Sequence, residues 1–179
     1  MKTLIAPTPT IEWKNGQIRL IDQTKLPLEE SYIETNNYRV VCDAIYRLAI
    51  RGAPAIGVAG AYACVLAANK IESDNTDGFL KEFLMKADEI GATRPTAVNL
   101  MWAVNQMKEK AASFSGDVKD IKSTLLDLAN EIKDDDIDRC HNLALHGAEL
   151  IPDHSNVMTI CNTGGLATSG IGTALGVIQ

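Results

Sequence analysis

The stretch from Ala53 to Ala68 constrains the fold more than any other part of the chain, because its sixteen residues include no charged side chain. Pro54 stands where the first turn of a helix accepts proline, so the sequence predicts a helix from Ala55 to about Lys70. The stretch is shorter than the roughly 18–20 apolar residues that a membrane span needs. A helix without a polar face must be surrounded by other elements. We therefore expect a central, buried helix and no membrane partner.

The segments before this helix show two different periods. Residues 10–21 alternate apolar and polar side chains around Asn15-Gly16, the dipeptide most typical of a two-residue hairpin turn. From residue 36 onward the period becomes helical, and Gly52 follows at a position typical of a helix end. The apolar residues of this second pattern are Val41, Ile45 and Leu48. The sequence predicts a β-hairpin followed by an amphipathic helix.

The middle of the chain predicts a layer of further helices. Apolar side chains recur at helical spacing in the ranges 80–87, 97–112 and 121–132, the last of which follows Asp117, a typical helix-capping residue. The run Asp134–Asp136 is interpreted as the solvated start of one more helix, which Pro152 ends, and not as a metal site.

The segment from Ser155 to Gln179 has no charged side chain and holds five of the thirteen glycines. It predicts a buried strand over Asn156–Cys161, a tight loop over Asn162–Gly165 and a helix from Leu166, which is the first half of a βαβ unit. The fold class is thus α+β leading into α/β: residues 1–153 form a hairpin and helical domain, and residues 154–179 begin a second domain. Because a lone parallel strand needs neighbours, we expect an N-terminal part of a longer protein.

Charge, cysteines and the N-terminus limit the function classes. The net charge of −6 has the wrong sign for a protein that binds nucleic acid by neutralising phosphates, so no nucleic-acid partner is expected. The apolar run Leu4–Ala6 is too short for a secretory signal. The four cysteines lie far apart without a CxxC pair, which favours neither a disulfide framework nor a zinc site. We expect a cytoplasmic protein without bound metal.

Individual cysteines and histidines support the same expectation. Cys42 and Cys64 fall in helical apolar patterns and are predicted to pack in the core. Cys140, His141 and His146 lack the helical spacing that would bring them together around a metal ion.

Three places in the sequence could bind an anion by one physical design. At Arg51-Gly52-Ala53-Pro54 and at Thr93-Arg94-Pro95-Thr96 an arginine precedes a proline and a helix start, so a guanidinium, free N–H groups and the helix dipole can converge on a phosphate. At Cys161-Asn162-Thr163-Gly164-Gly165 glycines let the backbone approach a ligand. The alternative is structural: the arginines bond the last carbonyls of the preceding helix, and Cys161 is a core residue.

Three motifs make the chain recognisable: Arg51-Gly-Ala-Pro-Ala-Ile-Gly57, Thr93-Arg-Pro-Thr-Ala-Val-Asn-Leu100 and Cys161-Asn-Thr-Gly-Gly-Leu-Ala-Thr-Ser-Gly-Ile-Gly-Thr-Ala-Leu-Gly176. With them, the chain resembles the methylthioribose-1-phosphate isomerase family, which is related to ribose-1,5-bisphosphate isomerase and to the regulatory α, β and δ subunits of translation initiation factor 2B. The resemblance covers essentially the whole chain.

The resemblance implies a hairpin and helical domain, a Rossmann-like C-terminal domain, a homodimer and no cofactor. It implies conversion of the aldose 5-methylthioribose 1-phosphate to the ketose 5-methylthioribulose 1-phosphate in methionine salvage, by proton transfer through an enolate or by a hydride shift. It places Cys161 in the active site and Arg51, Gly52, Ala53 and Arg94 at the phosphorylated pentose. The family's catalytic aspartate lies in the C-terminal half, so this chain alone is expected to be inactive unless a second chain supplies that half.

Two alternatives stay open at this point. One is an isomerase for another C1-phosphorylated pentose, such as ribose 1,5-bisphosphate or 5-deoxyribose 1-phosphate. The other is a noncatalytic regulatory subunit similar to those of initiation factor 2B. Cys161, Arg51 and Arg94 argue against this alternative, because a purely structural subunit does not need them.

Overall fold

A computed structural model describes residues 9–179, in which a small antiparallel sheet precedes six α-helices. The expectation about Leu4–Ala6 lies outside the described residues. The strands are β1 (Ile11–Lys14), β2 (Gln17–Ile21) and β3 (Tyr32–Thr35), in the order β1-β2-β3. The helices are α1 (Tyr38–Tyr46), α2 (Ala53–Asn69), α3 (Thr76–Gly91), α4 (Val98–Ser113), α5 (Val118–Ala148) and α6 (Ala174–Ile178).

The hairpin prediction is confirmed. Asn15 and Gly16 adopt positive φ values of 51° and 76°, as a two-residue hairpin turn requires, and they place Trp13 opposite Ile18. Strand β3 was not predicted, because its four residues carry no turn signal of their own. It pairs with β2 and is held by Arg19, whose guanidinium lies 3.6 Å above the Tyr32 ring.

Helix α2 occupies the centre, as the sequence predicts. Fourteen of its residues are buried, and it packs against helices α1, α3, α4 and α5. Its small side chains allow this close approach: a Cβ at Gly60 would lie 2.4 Å from Cδ1 of Leu100 in α4. On the sheet side, Tyr62 stacks on Trp13 with ring centroids 5.4 Å apart. Helix α2 is therefore surrounded by β1 and by helices α1, α3, α4 and α5.

The predicted end of the helix before α2 is wrong. Helix α1 ends at Tyr46, and Leu48, taken as part of its apolar stripe, has a φ of 64° and is exposed. The turn brings Ile50 into the core in its place, with its N–H bonded to the Ala44 carbonyl at 3.2 Å. Gly52 is therefore the residue that precedes α2 and not the end of α1.

The separate helix predicted behind Asp134–Asp136 is also wrong, since α5 runs without a break from Val118 to Ala148. The Asp117 cap is confirmed, because its side chain accepts the Asp120 N–H at 2.8 Å. Within the helix, Asp135 pairs with Arg139 at 2.6 Å, and Asp136 accepts a hydrogen bond from outside it. The predicted helices at 80–87 and 97–112 correspond to α3 and α4.

The predicted strand Asn156–Cys161 is not formed. These residues are irregular, and Met158 and Ile160 are 95% and 87% exposed. A strand needs hydrogen-bonding partners, and residues 9–179 place no other strand beside this segment. The helix predicted from Leu166 is a single 3-10 turn, Gly165–Ala167, followed by the short α6. None of the helices in the described part of the chain has the length and apolar character needed to cross a membrane.

Candidate functional site

Two of the three predicted anion sites meet in the structure. The Arg51–Pro54 segment and the Cys161–Thr168 segment face a common cleft of about 790 Å³. Their contact is tight: a Cβ on Gly52 would lie 2.4 Å from the Ala167 Cα, and Gly52 has a φ of 93°. Only glycine fits this position without displacing the neighbouring backbone. The cleft is lined by Arg51, Gly52, Ala53, Pro54, Cys161, Asn162, Ala167, Thr168 and Thr173.

The N-terminus of α2 gives the cleft its electrostatic character. Gly52 precedes the helix without a side chain that could cap it, and its carbonyl accepts the first helical bond from Ile56 at 3.0 Å. Because Pro54 has no N–H, the helix presents the N–H of Ala53 and the positive end of its dipole at the cleft wall. The exposed Arg51 guanidinium adds a full positive charge beside them. This combination suits a phosphate group.

The alternative expected for Arg51, a bond to the last carbonyls of the preceding helix, is not what the structure contains. Its Nε donates to Oε1 of Gln23 at 3.3 Å. Gln23 is buried just beyond β2, and its Nε2 donates to the Leu166 carbonyl at 2.7 Å. Sequence reasoning missed Gln23, because an isolated glutamine after a strand carries no motif.

Thr10 holds the same wall of the cleft from a second point. Its buried hydroxyl donates to the Gly165 carbonyl at 2.7 Å. Two neighbouring carbonyls of the Gly165–Ala167 turn are therefore bonded from the sheet, one by Thr10 and one by Gln23. The turn is fixed by side chains that are far away in sequence.

Cys161 lies on the cleft wall, but not at the end of a strand. It is exposed and has a φ of 70°, in the left-handed region that residues with a Cβ rarely adopt. The prediction that Cys161 lies at the carboxyl end of a strand is wrong, because residues 156–161 have no neighbouring strand to pair with among residues 9–179. Its access to the cleft nevertheless leaves the thiol free to meet a ligand.

Arg94 is not among the residues that line this cleft. It lies between α3 and α4, where its carbonyl accepts the Ala97 N–H at 2.9 Å. The N-terminus of α4 nevertheless adjoins that of α2, since a Cβ on Gly57 would lie 3.0 Å from the Asn99 carbonyl oxygen. The structure thus brings two of the predicted segments into one site and keeps the third at the neighbouring helix start.

A second pocket of about 520 Å³ lies between α2, α4 and α5 and shares Pro54 and Thr173 with the cleft. Asp136 lines it and accepts the Ser169 N–H at 2.6 Å. Burial raises the pKa of the Asp136 carboxyl, and the hydrogen bond from Ser169 opposes this rise. Asp136 therefore attaches the loop after Thr168 to α5.

The remaining cysteines are packing residues, as predicted for Cys42 and Cys64. Cys64 is completely buried, Cys42 packs against the core, and burial raises the pKa of both thiols. Burial also raises the pKa of Cys140. Within residues 9–179, no three His, Cys, Asp or Glu side chains are grouped so that they could hold a metal ion.

Residues 49–179 match the model of the initiation factor 2 subunit family. The chain is 45% identical over 171 residues to a methylthioribose-1-phosphate isomerase of Trichlorobacter lovleyi, and 46% identical to that of Geobacter metallireducens. In both comparisons 95% of this chain is covered, but only 49% of the relative. The chain thus spans about half the length of these curated relatives.

Two solved structures are similar over nearly the whole chain. One is the 5-methylthioribose 1-phosphate isomerase of Pyrococcus horikoshii, with a TM-score of 0.90 at 34% identity, over 95% of this chain and 48% of that one. The other is subunit delta of the translation initiation factor eIF-2B from A. fulgidus, with a TM-score of 0.87 at 40% identity, over 96% and 50%.

Proposed function

The chain belongs to the initiation factor 2 subunit family, and from this premise we propose that it forms the N-terminal part of an aldose–ketose isomerase that acts on 5-methylthioribose 1-phosphate in methionine salvage. The observation that carries the proposal is the shared cleft, in which a helix N-terminus with Arg51 faces the exposed thiol of Cys161. Relatives at 42–48% identity are named for this substrate.

In this proposal the α2 N-terminus binds the phosphate. The Ala53 N–H donates to a phosphate oxygen, and the Arg51 guanidinium adds charge-assisted hydrogen bonds. Arg94 supplies a second cation from the adjoining connection between α3 and α4.

The chemistry follows from the position of the phosphate on the anomeric carbon. The ring must open with the phosphate still attached, after which hydrogen moves from C2 to C1. This transfer is internal to the substrate, so the reaction consumes no redox cofactor. Cys161 either donates a proton near these carbons or stabilises the charge that develops on them. The product is 5-methylthioribulose 1-phosphate.

We assign the rest of the active site to a second half with which this chain combines. Val157, Met158 and Ile160 expose apolar side chains, and we propose that strands of a Rossmann-like domain cover them and turn Asn156–Cys161 into a strand. The family's catalytic aspartate would come from that half, and the complete protein would be a cytoplasmic homodimer. The isolated chain is then expected to bind the substrate without converting it.

A fusion protein tests this function directly. This chain would be joined to the portion of the Geobacter metallireducens relative that it does not cover, and formation of 5-methylthioribulose 1-phosphate would be followed by NMR. We expect turnover by the fusion protein and a loss of at least about 100-fold in kcat for Cys161→Ser. Cys42→Ser, which changes a packing thiol in α1, is the matched control and should retain turnover.

A second candidate function is supported by the similarity to subunit delta of eIF-2B. In this case the cleft would bind a sugar phosphate as a signal and not as a substrate. A fusion protein that binds 5-methylthioribose 1-phosphate without converting it, and equally well with Cys161→Ser, would favour this regulatory role. If the fusion protein converts ribose 1,5-bisphosphate or 5-deoxyribose 1-phosphate faster than 5-methylthioribose 1-phosphate, the proposed reaction type stands and the assigned substrate is wrong.

A further inference from the structure

The carboxamide of Gln23 connects two parts of the cleft wall that are otherwise far apart in sequence. Its oxygen faces Arg51 and its nitrogen faces the Leu166 carbonyl. Gln23 is 3% exposed, and its backbone N–H donates to the Ala49 carbonyl at 2.9 Å. A buried amide with both ends bonded has one orientation, so its two partners are held at a set separation.

The chemistry of the two partners requires an amide at this position. A guanidinium can only donate hydrogen bonds and a carbonyl can only accept them, so one side-chain group must accept at one end and donate at the other. Glutamate can accept from Arg51 but cannot donate to Leu166, and methionine does neither. Among side chains of this length, glutamine alone satisfies both contacts.

The contact with Arg51 also leaves the guanidinium able to bind a ligand. The bond to Gln23 uses Nε, so it does not consume the forked terminal N–H groups that recognise phosphate. A long, exposed side chain loses rotamer freedom when it binds a ligand. A hydrogen bond that orients the side chain beforehand removes part of this loss.

We propose that Gln23 is a positioning residue of the phosphate cleft. It orients the Arg51 guanidinium and connects it through hydrogen bonds to the Gly165–Ala167 turn. This inference rests on the proposed function, because it assumes that the cleft binds a phosphorylated pentose. Gln23 is not assigned any contact with the substrate.

Thr10 supplies a matched control. Its hydroxyl bonds the neighbouring carbonyl of the same turn, it is equally buried, and Arg51 is not its hydrogen-bond partner. Thr10→Val therefore loosens the turn and leaves the arginine in place, whereas Gln23→Met removes both contacts at nearly constant side-chain length. The comparison separates orientation of Arg51 from simple support of the turn.

The experiment uses the 179-residue chain with three readouts. These are the NMR resonance of Arg51 Nε–Hε, hydrogen exchange of the amides in residues 164–168, and the affinities for 5-methylthioribose 1-phosphate and inorganic phosphate. We expect Gln23→Met to shift the arginine resonance, to speed exchange and to weaken binding of both ligands by about 5- to 10-fold. Thr10→Val should speed exchange and keep the resonance, and any loss of affinity should be smaller than in Gln23→Met, because Arg51 stays oriented.

A second variant covers the case in which Gln23→Met does not fold. Gln23→Glu keeps an acceptor for Arg51 and loses the donor to Leu166, so the Arg51 Nε–Hε should stay protected from solvent exchange while the amides of residues 164–168 exchange faster. An unmoved arginine resonance in Gln23→Met, or equal losses of affinity in Gln23→Met and Thr10→Val, would overturn the inference. Loss of the Nε–Hε protection in Gln23→Glu would also overturn the inference. If the wild-type chain binds neither ligand, the proposed phosphate site fails, and the arginine resonance still decides whether Gln23 orients Arg51.

Discussion

Gly52→Ala is the substitution for which the structure gives the sharpest expectation. The new Cβ would lie 2.4 Å from Cα, 2.5 Å from Cβ and 2.6 Å from the carbonyl oxygen of Ala167. Two of these atoms belong to the backbone, so no side-chain rotation can relieve the clash. The φ of 93° adds strain, because residues with a Cβ avoid this region.

The two effects can be given magnitudes. A residue with a Cβ in a sparsely populated backbone region costs on the order of 1–3 kcal/mol, and overpacking costs a similar amount. Because displacement of the Gly165–Ala167 turn relieves part of the clash, we expect the free energy of unfolding to fall by about 2–4 kcal/mol. For a chain of this length that corresponds to a decrease in Tm of roughly 4–16 °C.

Gly16→Ala is the internal reference for this measurement. Gly16 also has a positive φ, 76°, but a Cβ there would meet nothing within 4 Å. Its substitution therefore reports backbone strain alone, about 1–2 kcal/mol. Urea denaturation followed by circular dichroism gives both values. Equal losses for the two variants would refute the close contact between the α2 N-terminus and the turn, and with it the geometry of the cleft.

Two further predictions concern pH. Burial opposes ionisation of Asp22, but hydrogen bonds from Thr24 and Arg47 outweigh it and hold the pKa of this carboxyl below its usual value near 3.8. The stability that ionised Asp22 contributes should therefore be present above pH 3.8 and be lost as pH falls through the lower folded-state pKa. Asp22→Asn should lower the free energy of unfolding by about 1–3 kcal/mol at pH 7, measured by urea titration. Burial raises the pKa of Asp136, so stability should decrease as pH rises from about 3.8 through the higher folded-state pKa, and Asp136→Asn, which still accepts from Ser169, should remove that decrease. A pH-independent difference between either variant and the wild type would contradict the corresponding prediction.

The elements that the sequence predicts well are those with a local cause. Asn15-Gly16 specifies its hairpin through the turn itself, and the uncharged stretch around Gly60 can only be a buried helix. Errors occur where a distant contact decides. Asp136 resembles a helix start in sequence, yet its carboxylate is satisfied by the Ser169 N–H, 33 positions away. The strand predicted at Asn156–Cys161 needs neighbouring strands, which the described residues do not provide.

The candidate site divides in the same way. Arg51 and Cys161 were recognisable from their motifs, but their meeting in one cleft depends on the contact between Gly52 and Ala167. Gln23 could not be found, because its importance comes from two partners at sequence separations of 28 and 143. A motif identifies residue types that suit a ligand, whereas the residues that orient them are found only in three dimensions.

We propose above that the α2 N-terminus and the Cys161 segment form one binding site for a phosphorylated pentose. This proposal is tested most directly by titrating the ¹⁵N-labelled chain with 5-methylthioribose 1-phosphate and following every backbone amide. We expect the amides of Gly52, Ala53 and Ala55 to shift together with those of Asn162–Ala167 and to give a single Kd, while the hairpin at Asn15-Gly16 does not respond. Shifts confined to one of the two segments, shifts elsewhere in the chain, or no shifts at all would contradict it.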